Sequence, residues 1–543
     1  MENIRPRDMG IPSEQLAKPD EYQLMTLPAP YDKPDMEPGF KLPEKSWNNN
    51  YCTSLDGFIG NDTLIRPKTK EEEQEMIKKF LSGLDKLFSE ETNRNYLQPL
   101  MLTFENCAKC NTCSEACHTF KSSGGAEIYR PIFRSEVLRK LYKKHKQGGG
   151  LLNRFTGGDI DINIETIMRL GELAYRCNLC RRCAQTCPLG LDNGLLAREI
   201  RKLFSMEMGI APKPLHENGT MNQLRTGSST GLGKAAFLDT IEFLEDDLYE
   251  RTGKKYKIPI DKKGADILLT HNAGEYLAWP ENPSAFVVIF EEAGLNWTLC
   301  SSDFIGYDNV NYGLFYDDAQ ARKIGLAQMK AAKELGVRRI IVGECGHAHK
   351  AIALAIDRAI TGDDNIPRES FLPLLWDLIE KNAFKLDPMR NNFPVTLHDP
   401  CNMGRMMGII KPQRKIIKAI CPQFREMTPN GATNYCCGGG SGFAIIKSHN
   451  FPEFRNKIAS RMKMKQILEA FQDTIENAET PKYVAAPCSN CKGAIRDILE
   501  YYGVTERFNV HYGGLVELVV NAMVEFDRPF LEFLNEDTFR QMQ

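Results

Sequence analysis

The pattern of apolar and polar positions predicts a helical first part of the chain and a second part with short strands. In the first part, apolar residues recur at helical spacing in three segments. These segments are residues 69–90, 132–144 and 160–176. Residues 393–401 (FPVTLHDPC) and 481–488 (PKYVAAPC) each contain a short apolar run that predicts a buried strand. Between them, residues 454–471 have the spacing of a helix.

Residues 1–47 differ from the rest because they contain eight prolines and little apolar periodicity. This composition predicts an extended N-terminal arm (1–50) that is either disordered alone or wraps a neighbouring subunit. No apolar run approaches the roughly 18 residues of a membrane span, and the first residues contain no hydrophobic signal core. We therefore expect a cytoplasmic protein without a membrane span. A net charge of -2 argues against nucleic acid as a partner.

Cysteine usage changes this picture most. The chain contains 17 cysteines, a high number for a cytoplasmic protein, because disulfides are rare there. Thirteen of them fall into three groups, which indicates metal ligation. The first two groups are CAKCNTCSEAC and CNLCRRCAQTCP, with Cys107, Cys110, Cys113 and Cys117 in the first and Cys177, Cys180, Cys183 and Cys187 in the second.

Both groups have the C-x2-C-x2-C-x3-C spacing and resemble the loops of bacterial-type ferredoxins. In such loops three cysteines bind one 4Fe-4S cube and the fourth binds the cube of the other loop. The alternative, two zinc sites, usually pairs two CxxC turns instead. The resemblance assigns cube 1 to Cys107, Cys110, Cys113 and Cys187. It assigns cube 2 to Cys177, Cys180, Cys183 and Cys117.

The third group supplies five thiols, more than one ordinary cube binds. It comprises Cys401, Cys436, Cys437, Cys488 and Cys491. The predicted strands before Cys401 and Cys488 would bring these thiols together at the carboxyl edge of a parallel sheet. Gly438, Gly439 and Gly440 would let the backbone approach a cofactor closely. A flexible loop is the alternative, whereas a phosphate cradle is disfavoured because the run lacks the G-x-G-x-x-G spacing and the P-loop lysine.

An internal repeat relates the segments before residue 352 to this third group. The alignment sets Cys345 against Cys488 and Cys300 against Cys436, and the other three ligand positions of the first half carry no cysteine. We therefore expect the first half to keep the scaffold without binding a five-cysteine cluster. For Cys300 and Cys345 three interpretations stay open: buried relics, a reserve thiol pair, or accessory metal ligands.

Three histidines, His347, His349 and His398, lie within a few residues of these ligand positions. The ordinary pKa of histidine suits a proton donor to a leaving thiolate, while a structural hydrogen bond is the common alternative. We include His398 and His347 with the five cysteines of the third group as candidate catalytic residues.

The order C, CC, CxxC resembles the CCG domain of heterodisulfide reductase catalytic subunits. The resemblance implies that the five thiolates hold a non-cubane 4Fe-4S cluster that cleaves disulfides. The gap from Cys437 to Cys488 is long for that family, and the predicted helix at 454–471 accounts for it as an insertion. The two ferredoxin loops and the helices between them resemble the helical ferredoxin domain of succinate dehydrogenase-type iron–sulfur subunits.

Together these resemblances imply a multidomain α+β fold class: a helical 2x4Fe-4S ferredoxin domain followed by two α/β CCG repeats related by pseudo-two-fold symmetry. The expected divisions are an arm (1–50), the ferredoxin domain (51–200), a partly helical connecting segment (201–262), a degenerate first CCG half (263–390) and a second CCG half with the catalytic cluster (391–543).

Residues 100–520 resemble the fused layout of the archaeal membrane-type heterodisulfide reductase subunit. The eroded first half and the long arm resemble the DsrK family, the heterodisulfide-reductase-like subunits of DsrMKJOP membrane complexes in sulfur-metabolising prokaryotes. The resemblance implies a haem b membrane partner (DsrM), further subunits of that complex, and the sulfur carrier DsrC, whose trisulfide is the substrate. It places the chain at the cytoplasmic membrane through that partner.

No flavin or nicotinamide fingerprint is present in the sequence, so electrons are expected to enter singly from another protein and to pass through the two cubes to the CCG cluster. The cluster would then reduce, or reversibly oxidise, a disulfide or trisulfide. Three alternatives stay open. They are an iron–sulfur subunit of a flavin-linked glycolate, lactate or glycerol-3-phosphate oxidase, a thiol-coenzyme heterodisulfide reductase, and a non-catalytic electron carrier or redox sensor.

Overall fold

A computed structural model describes residue 64 and residues 67–89, 97–148, 159–301, 308–309, 312–351, 365–446 and 451–534. The predicted N-terminal arm (1–50) lies outside the described residues. The chain divides into two compact units. The helical unit comprises the described residues up to Leu215 together with Phe315–Asp317 and Gly438–Lys463. The sheet unit comprises the described residues of His216–Leu314, Asp318–Cys437 and Met464–Gln543.

The described chain before residue 260 is built from helices. They are α1 (Lys70–Leu87), α2 (Leu97–Asn106), α3 (Thr112–Ala116), α4 (His118–Ser122), α5 (Pro131–Gln147), α6 (Ile164–Tyr175), α7 (Arg182–Gln185), α8 (Asn193–Lys202), α9 (Lys213–Leu215), α10 (Asn222–Thr226) and α11 (Lys234–Thr252). The three helices predicted from apolar spacing are confirmed as α1, α5 and α6. Helices also occur within residues 201–262, whose role as a connecting segment stays a prediction.

Local side-chain bonds fix where the predicted helices begin. Thr69 Oγ1 accepts a hydrogen bond of 3.2 Å from the Glu72 backbone N–H and so caps α1. Asn163 Oδ1 accepts one of 2.8 Å from the Thr166 N–H, which is why α6 begins at residue 164 although its apolar pattern starts at residue 160. Pro131 is the first residue of α5, a position where its missing N–H removes no helical bond.

The first sheet has four parallel strands in the order β2–β1–β3–β4. The strands are β1 (Ile267–Thr270), β2 (Trp297–Thr298), β3 (Arg339–Val342) and β4 (Arg368–Ser370). The helices of this half are α12 (Ala273–Ala278), α13 (Glu281–Glu292), α14 (Asp318–Leu335), α15 (Gly346–Ala351) and α16 (Phe371–Glu380). The register sets Leu268 of β1 beside Ile340 of β3.

The second sheet repeats this order as β6–β5–β7–β8, again with all strands parallel. Its strands are β5 (Val395–Leu397), β6 (Phe424–Arg425), β7 (Lys482–Ala485) and β8 (Val510–Gly513). The helices are α17 (Lys411–Ile420), α18 (Phe451–Phe454), α19 (Arg461–Ala470), α20 (Ser489–Tyr501), α21 (Val504–Phe508) and α22 (Leu515–Asn521). Both predicted strands are confirmed as β5 and β7, and the predicted insertion helix as α19 with a π-helical turn, Arg455–Ala459, before it.

One apolar core joins the two halves of the sheet unit. It includes Phe286 and Phe290 on α13 and Val516 and Val520 on α22, and these two helices pack against each other. Burying such side chains provides most of the favourable free energy of folding for a unit of this size. The mixed fold of helices and parallel sheets therefore agrees with the expected fold class, while the pseudo-two-fold relation stays a prediction.

Candidate iron–sulfur centres

The two ferredoxin-type loops of the helical unit have the same backbone conformation. In the first loop Lys109 and Asn111 have positive φ angles of 52° and 61°. In the second loop Leu179 and Arg181, at the same positions relative to the cysteines, have φ of 51° and 59°. Each loop then enters a short helix, α3 or α7, that begins just before its third cysteine. Positive-φ residues at alternate positions curl a chain around a small anionic group, as the first three cysteines of a cube require.

The fourth cysteine of each loop lies beside the other loop. Burial, followed by the thiols of Cys117, Cys107 and Cys187, raises the pKa of Cys113 to about 12. Burial, followed by the thiols of Cys180 and Cys177, raises the pKa of Cys117 to about 11. Cys187 therefore lies near the first loop and Cys117 near the second. A bound cube would overcome these raised pKa values, because iron binds the thiolate form.

Buried cations surround the second loop. Arg201 donates from Nη2 to the Cys177 carbonyl oxygen at 2.7 Å, and its guanidinium lies 4.4 Å from the centre of the Tyr175 ring. Arg182 donates to the carbonyl oxygen of Ala116. His118, the residue that departs from the ferredoxin pattern, is buried and places Nε2 2.9 Å from Asn178 Oδ1. The two arginines would offset the negative charge of a thiolate-bound cluster.

In the sheet unit, side-chain hydrogen bonds join Cys437 to Cys436 and Cys491, and Cys491 to Cys488. Cys401 follows β5 and Cys488 follows β7, and all five thiols are buried. Cys437 Sγ lies 3.2 Å from Cys491 Sγ, although 54 residues separate them. Hydrogen bonds from Cys436 and then Cys491 hold the pKa of Cys437 well below its usual range. The Cys437 site is thus already suited to the thiolate form that iron binds.

His398 belongs to the same cluster of side chains. A ligand atom of His398 and the sulfurs of Cys437 and Cys491 all lie within 4.8 Å of one another. Asn434 Nδ2 lies 3.4 Å from His398 Nδ1 and 3.3 Å from the Asp399 carbonyl oxygen. The cysteine loop and the end of β5 are therefore held together, and the convergent soft donors suit an iron–sulfur cluster.

His347 lies near Cys437, and its pKa is lower than the ordinary histidine pKa assumed from the sequence. Burial lowers the pKa of His347 to about 3, with Lys350 acting in the same direction and the Cys437 thiolate opposing both. The role of His347 as a proton donor stays a prediction. Burial also lowers the pKa of His349 to about 4, and His349 Nδ1 bonds to the Cys345 carbonyl oxygen at 2.8 Å.

The degenerate first half still contributes to the site of the second half. Cys345 follows β3 as Cys488 follows β7, and burial, followed by the nearby Cys488 thiolate, raises the pKa of Cys345. The Gly346 backbone N–H donates to Cys488 Sγ at 3.3 Å. Cys300 follows β2, and both Cys300 and Cys345 are buried. The role of Gly346 has no signal in the sequence, because a backbone donor carries no side-chain signature.

Among the three glycines of the run, Gly438 has a clear conformational requirement. Its φ is +87°, and a Cβ atom there would lie 2.9 Å from Ser460 Cα. Both features exclude other side chains at this position. Ser460 directly follows the π-helical turn Arg455–Ala459 of the helical unit. The role of Gly439 and Gly440 near a cofactor stays a prediction.

A buried ionic cluster follows Cys491 and was not predicted. Lys492 Nζ lies 3.4 Å from Glu275 Oε1, 3.7 Å from Glu344 Oε2 and 3.9 Å from Glu517 Oε1, with all four side chains buried. Asn282 Nδ2 donates to both Glu344 and Glu517, at 2.9 and 3.0 Å. The cluster combines residues from both halves of the sheet unit. Sequence reasoning missed it because its members are far apart in the chain.

Comparison with known proteins identifies two domain families. Residues 103–191 match the 4Fe-4S dicluster domain family, and residues 395–496 match the cysteine-rich (CCG) domain family. The chain therefore carries a dicluster 4Fe-4S domain followed by a cysteine-rich domain. No helix of the described residues is long and apolar enough to cross a membrane.

Similar proteins cover most of the chain. "Hdr-like menaquinol oxidoreductase iron-sulfur subunit 2" of Archaeoglobus fulgidus is 25% identical over 476 residues, 80% of this chain and 81% of the relative. A dihydromethanophenazine:CoB--CoM heterodisulfide reductase subunit of Methanosarcina acetivorans is 22% identical over 74% of this chain and 91% of the relative. "EtfAB:quinone oxidoreductase" of Syntrophomonas wolfei is 25% identical over 63% and 48%. In domain content and sequence, the chain thus resembles heterodisulfide-reductase-like iron–sulfur oxidoreductases.

Proposed function

We propose that the chain is the catalytic iron–sulfur subunit of a membrane-associated, quinol-linked oxidoreductase that reduces a sulfur–sulfur bond. The observation that carries this proposal is the convergence of buried thiols at the carboxyl ends of β5 and β7, with Cys437 Sγ 3.2 Å from Cys491 Sγ. The relatives named as quinol oxidoreductase and heterodisulfide reductase subunits support it.

The helical unit would hold two 4Fe-4S cubes. We assign cube 1 to Cys107, Cys110, Cys113 and Cys187. We assign cube 2 to Cys177, Cys180, Cys183 and Cys117. The effect of Cys187 on the pKa of Cys113, and of Cys180 and Cys177 on the pKa of Cys117, shows that thiols of the two loops lie near each other and supports this crossed assignment.

The sheet unit would hold a non-cubane 4Fe-4S cluster on the five cysteines of the third group, which are Cys401, Cys436, Cys437, Cys488 and Cys491. Such a cluster supplies electrons one at a time to the sulfurs of a bound disulfide or trisulfide. Two electrons and two protons convert one sulfur–sulfur bond into two thiols. Burial of the five cysteines would exclude water from this exchange, and His398, within 4.8 Å of the Cys437 sulfur, would move a proton.

The loss of cysteines from the first half of the sheet unit favours one kind of subunit. The first half has cysteine at only two of the five ligand positions, Cys300 and Cys345, so one catalytic cluster per chain is expected. This pattern supports a DsrK-like subunit that works with a haem b membrane partner (DsrM) and with DsrC as a trisulfide substrate. Cys345 then acts on the second half through its proximity to Cys488 rather than as part of a cluster of its own.

One experiment tests the function directly. Iron and acid-labile sulfide are counted on anaerobically purified protein, and EPR spectra are recorded before and after addition of a synthetic peptide trisulfide. We expect about twelve irons per chain and a new paramagnetic signal with the peptide, followed by thiol release under reducing conditions. About eight irons without a new signal would leave a two-cube electron carrier and overturn the catalytic proposal.

A second candidate is an electron carrier between a flavoprotein and quinone. It is favoured by the relative named EtfAB:quinone oxidoreductase, which matches 63% of this chain. The same preparation separates the two: a carrier would accept electrons from a reduced flavoprotein and release no thiol from either a disulfide or a trisulfide.

A further inference from the structure

The glycine run after the cysteine pair is bonded to the second ferredoxin-type loop. Asn178 of that loop donates from Nδ2 to the Gly438 carbonyl oxygen at 2.8 Å. In the opposite direction, Ser441 Oγ donates to the Asn178 carbonyl oxygen at 2.8 Å. All three residues belong to the helical unit, and Gly438 is joined to Cys437 by a peptide bond. One hydrogen bond and one peptide bond therefore link the second loop to the cysteine pair.

Arg201 also joins the second loop to the glycine run. Its Nη2 donates to the Cys177 carbonyl oxygen at 2.7 Å and its Nη1 donates to the Ser441 carbonyl oxygen at 2.9 Å. The guanidinium is buried, so both bonds are shielded from water. A buried, charged double donor of this kind holds backbone segments firmly in place. The position of Gly438 beside the loop is therefore fixed independently of Asn178.

The orientation of the Asn178 amide is also fixed. His118 Nε2 lies 2.9 Å from Asn178 Oδ1, and since Oδ1 only accepts, His118 is the donor. This bond turns Nδ2 towards the Gly438 carbonyl oxygen. Asn178 is 2% exposed, so no water competes for either bond.

Comparison of the two loops indicates that cluster binding does not require the Asn178 amide. The loops share their spacing and their positive-φ positions, but Ala108 of the first loop stands where Asn178 stands in the second. Alanine is thus compatible with the loop conformation and with the cysteine geometry. The Asn178 side chain is an addition that only the loop beside Gly438 carries.

We propose that Asn178 is a positioning residue for electron transfer between the second cube and the cysteine site that contains Cys437. This inference rests on the proposed function. The Asn178 hydrogen bond provides a bonded path from the loop of the donor cube to Gly438, the neighbour of Cys437. It is shorter than the bonded paths through Ser441 and Arg201, which meet the glycine run three residues further from Cys437. Each transfer moves one electron and neither forms nor breaks a covalent bond.

The test compares Asn178→Ala and Asn178→Asp with the wild-type complex. Alanine reproduces the first loop, whereas aspartate keeps the shape and the acceptor for His118 but cannot donate to the Gly438 carbonyl oxygen. Anaerobic protein is mixed with dithionite, frozen at intervals and examined by EPR, so that reduction of the cubes and of the CCG cluster is timed separately. Redox titration gives the potential of each cube.

We expect both variants to keep all clusters and cube reduction at the wild-type rate, with a slower reduction of the CCG cluster, because the shortest bonded path from the loop to Gly438 is lost. Ser135→Ala is the control, because it removes a buried hydrogen bond to Asn193 in the same unit and none of the bonds of this path. Wild-type timing in both Asn178 variants would overturn the inference while the proposed function stands. Absence of a third cluster from the wild-type protein would overturn both the inference and the proposed function. If a shifted cube potential alone explains the slower reduction of the CCG cluster, the positioning role is refuted.

Discussion

The backbone N–H of Gly346, in the first half of the sheet unit, donates a hydrogen bond of 3.3 Å to the sulfur of Cys488 in the second half. A half that lacks most of the candidate ligands therefore still contacts one of them. Hydrogen bonds to thiolate sulfur tune the potential of an iron–sulfur cluster. The first half of the sheet unit thus supports a candidate ligand that the second half supplies.

The first prediction follows from this contact. In Gly346→Ala the added methyl would lie 3.0 Å from Cys488 Sγ, so either the sulfur or the start of α15 must move. We expect a weakened or altered EPR signal of the CCG cluster with both cubes unchanged. Gly233→Ala is the matched control, because no atom lies within 4 Å of its added methyl. Identical CCG spectra in the two variants would contradict a role for Gly346.

The second prediction concerns Cys437. Cys437→Ala removes the thiol that lies 3.2 Å from Cys491 and whose pKa is lowered by its neighbours. We expect thiol release from a peptide trisulfide to be abolished, with about eight irons remaining per chain, since the two cubes do not use this residue. Cys421→Ala is the control, a buried cysteine outside the five. Activity retained in Cys437→Ala would remove the residue from the catalytic set.

The third prediction tests the crossed ligand sets. If Cys187 completes the first loop, then Cys187→Ser and Cys107→Ser alter the same EPR signal and the same reduction potential. Cys117→Ser should instead match Cys177→Ser, because Cys117 lies near the second loop. Pairing of Cys187 with Cys177 in these spectra would show that each loop binds a cube with its own four cysteines.

The fourth prediction concerns the buried ionic cluster. Lys492→Met leaves three buried carboxylates without their cation, and we expect a loss of about 3–5 kcal/mol in the free energy of unfolding of the sheet unit. Lys381→Met, which breaks an exposed pair with Asp377, should change it by less than about 1 kcal/mol. Anaerobic denaturant titration measures both. A loss in Lys492→Met no larger than in the control would mean that the cluster adds nothing to stability.

Sequence reasoning identified what local patterns encode. The spacing of the cysteines and the apolar runs before Cys401 and Cys488 predicted the ligand groups and the strands β5 and β7, since both signals lie within a few residues. The supporting contacts were out of reach. Gly346 meets Cys488 across 142 residues, and Asn178 meets Gly438 across 260. Neither glycine nor asparagine differs in sequence from an ordinary turn residue, so only the folded chain reveals such partners.

The fifth prediction concerns Glu469, on α19 and away from the candidate ligands. Burial raises its pKa from the usual 4.5 to about 7, with Lys465 acting in the opposite direction, and its Oε1 accepts no hydrogen bond. Because the folded pKa lies above the unfolded one, the stability gained from the protonated form is fully present below about pH 4.5 and is lost as the pH rises through about 7. Glu469→Gln keeps the shape without the charge.

We therefore expect Glu469→Gln to be only slightly more stable than the wild-type protein at pH 5, just above the unfolded pKa, and more stable at pH 8 by about 1–2 kcal/mol, after allowance for partial exposure of the carboxylate. Anaerobic denaturant titrations of both proteins at the two pH values measure the difference. Glu479→Gln is the control, because Glu479 is exposed. It should leave the free energy of unfolding unchanged at both pH values. An equal gain at pH 5 and pH 8 would mean that side-chain packing rather than ionisation explains the effect.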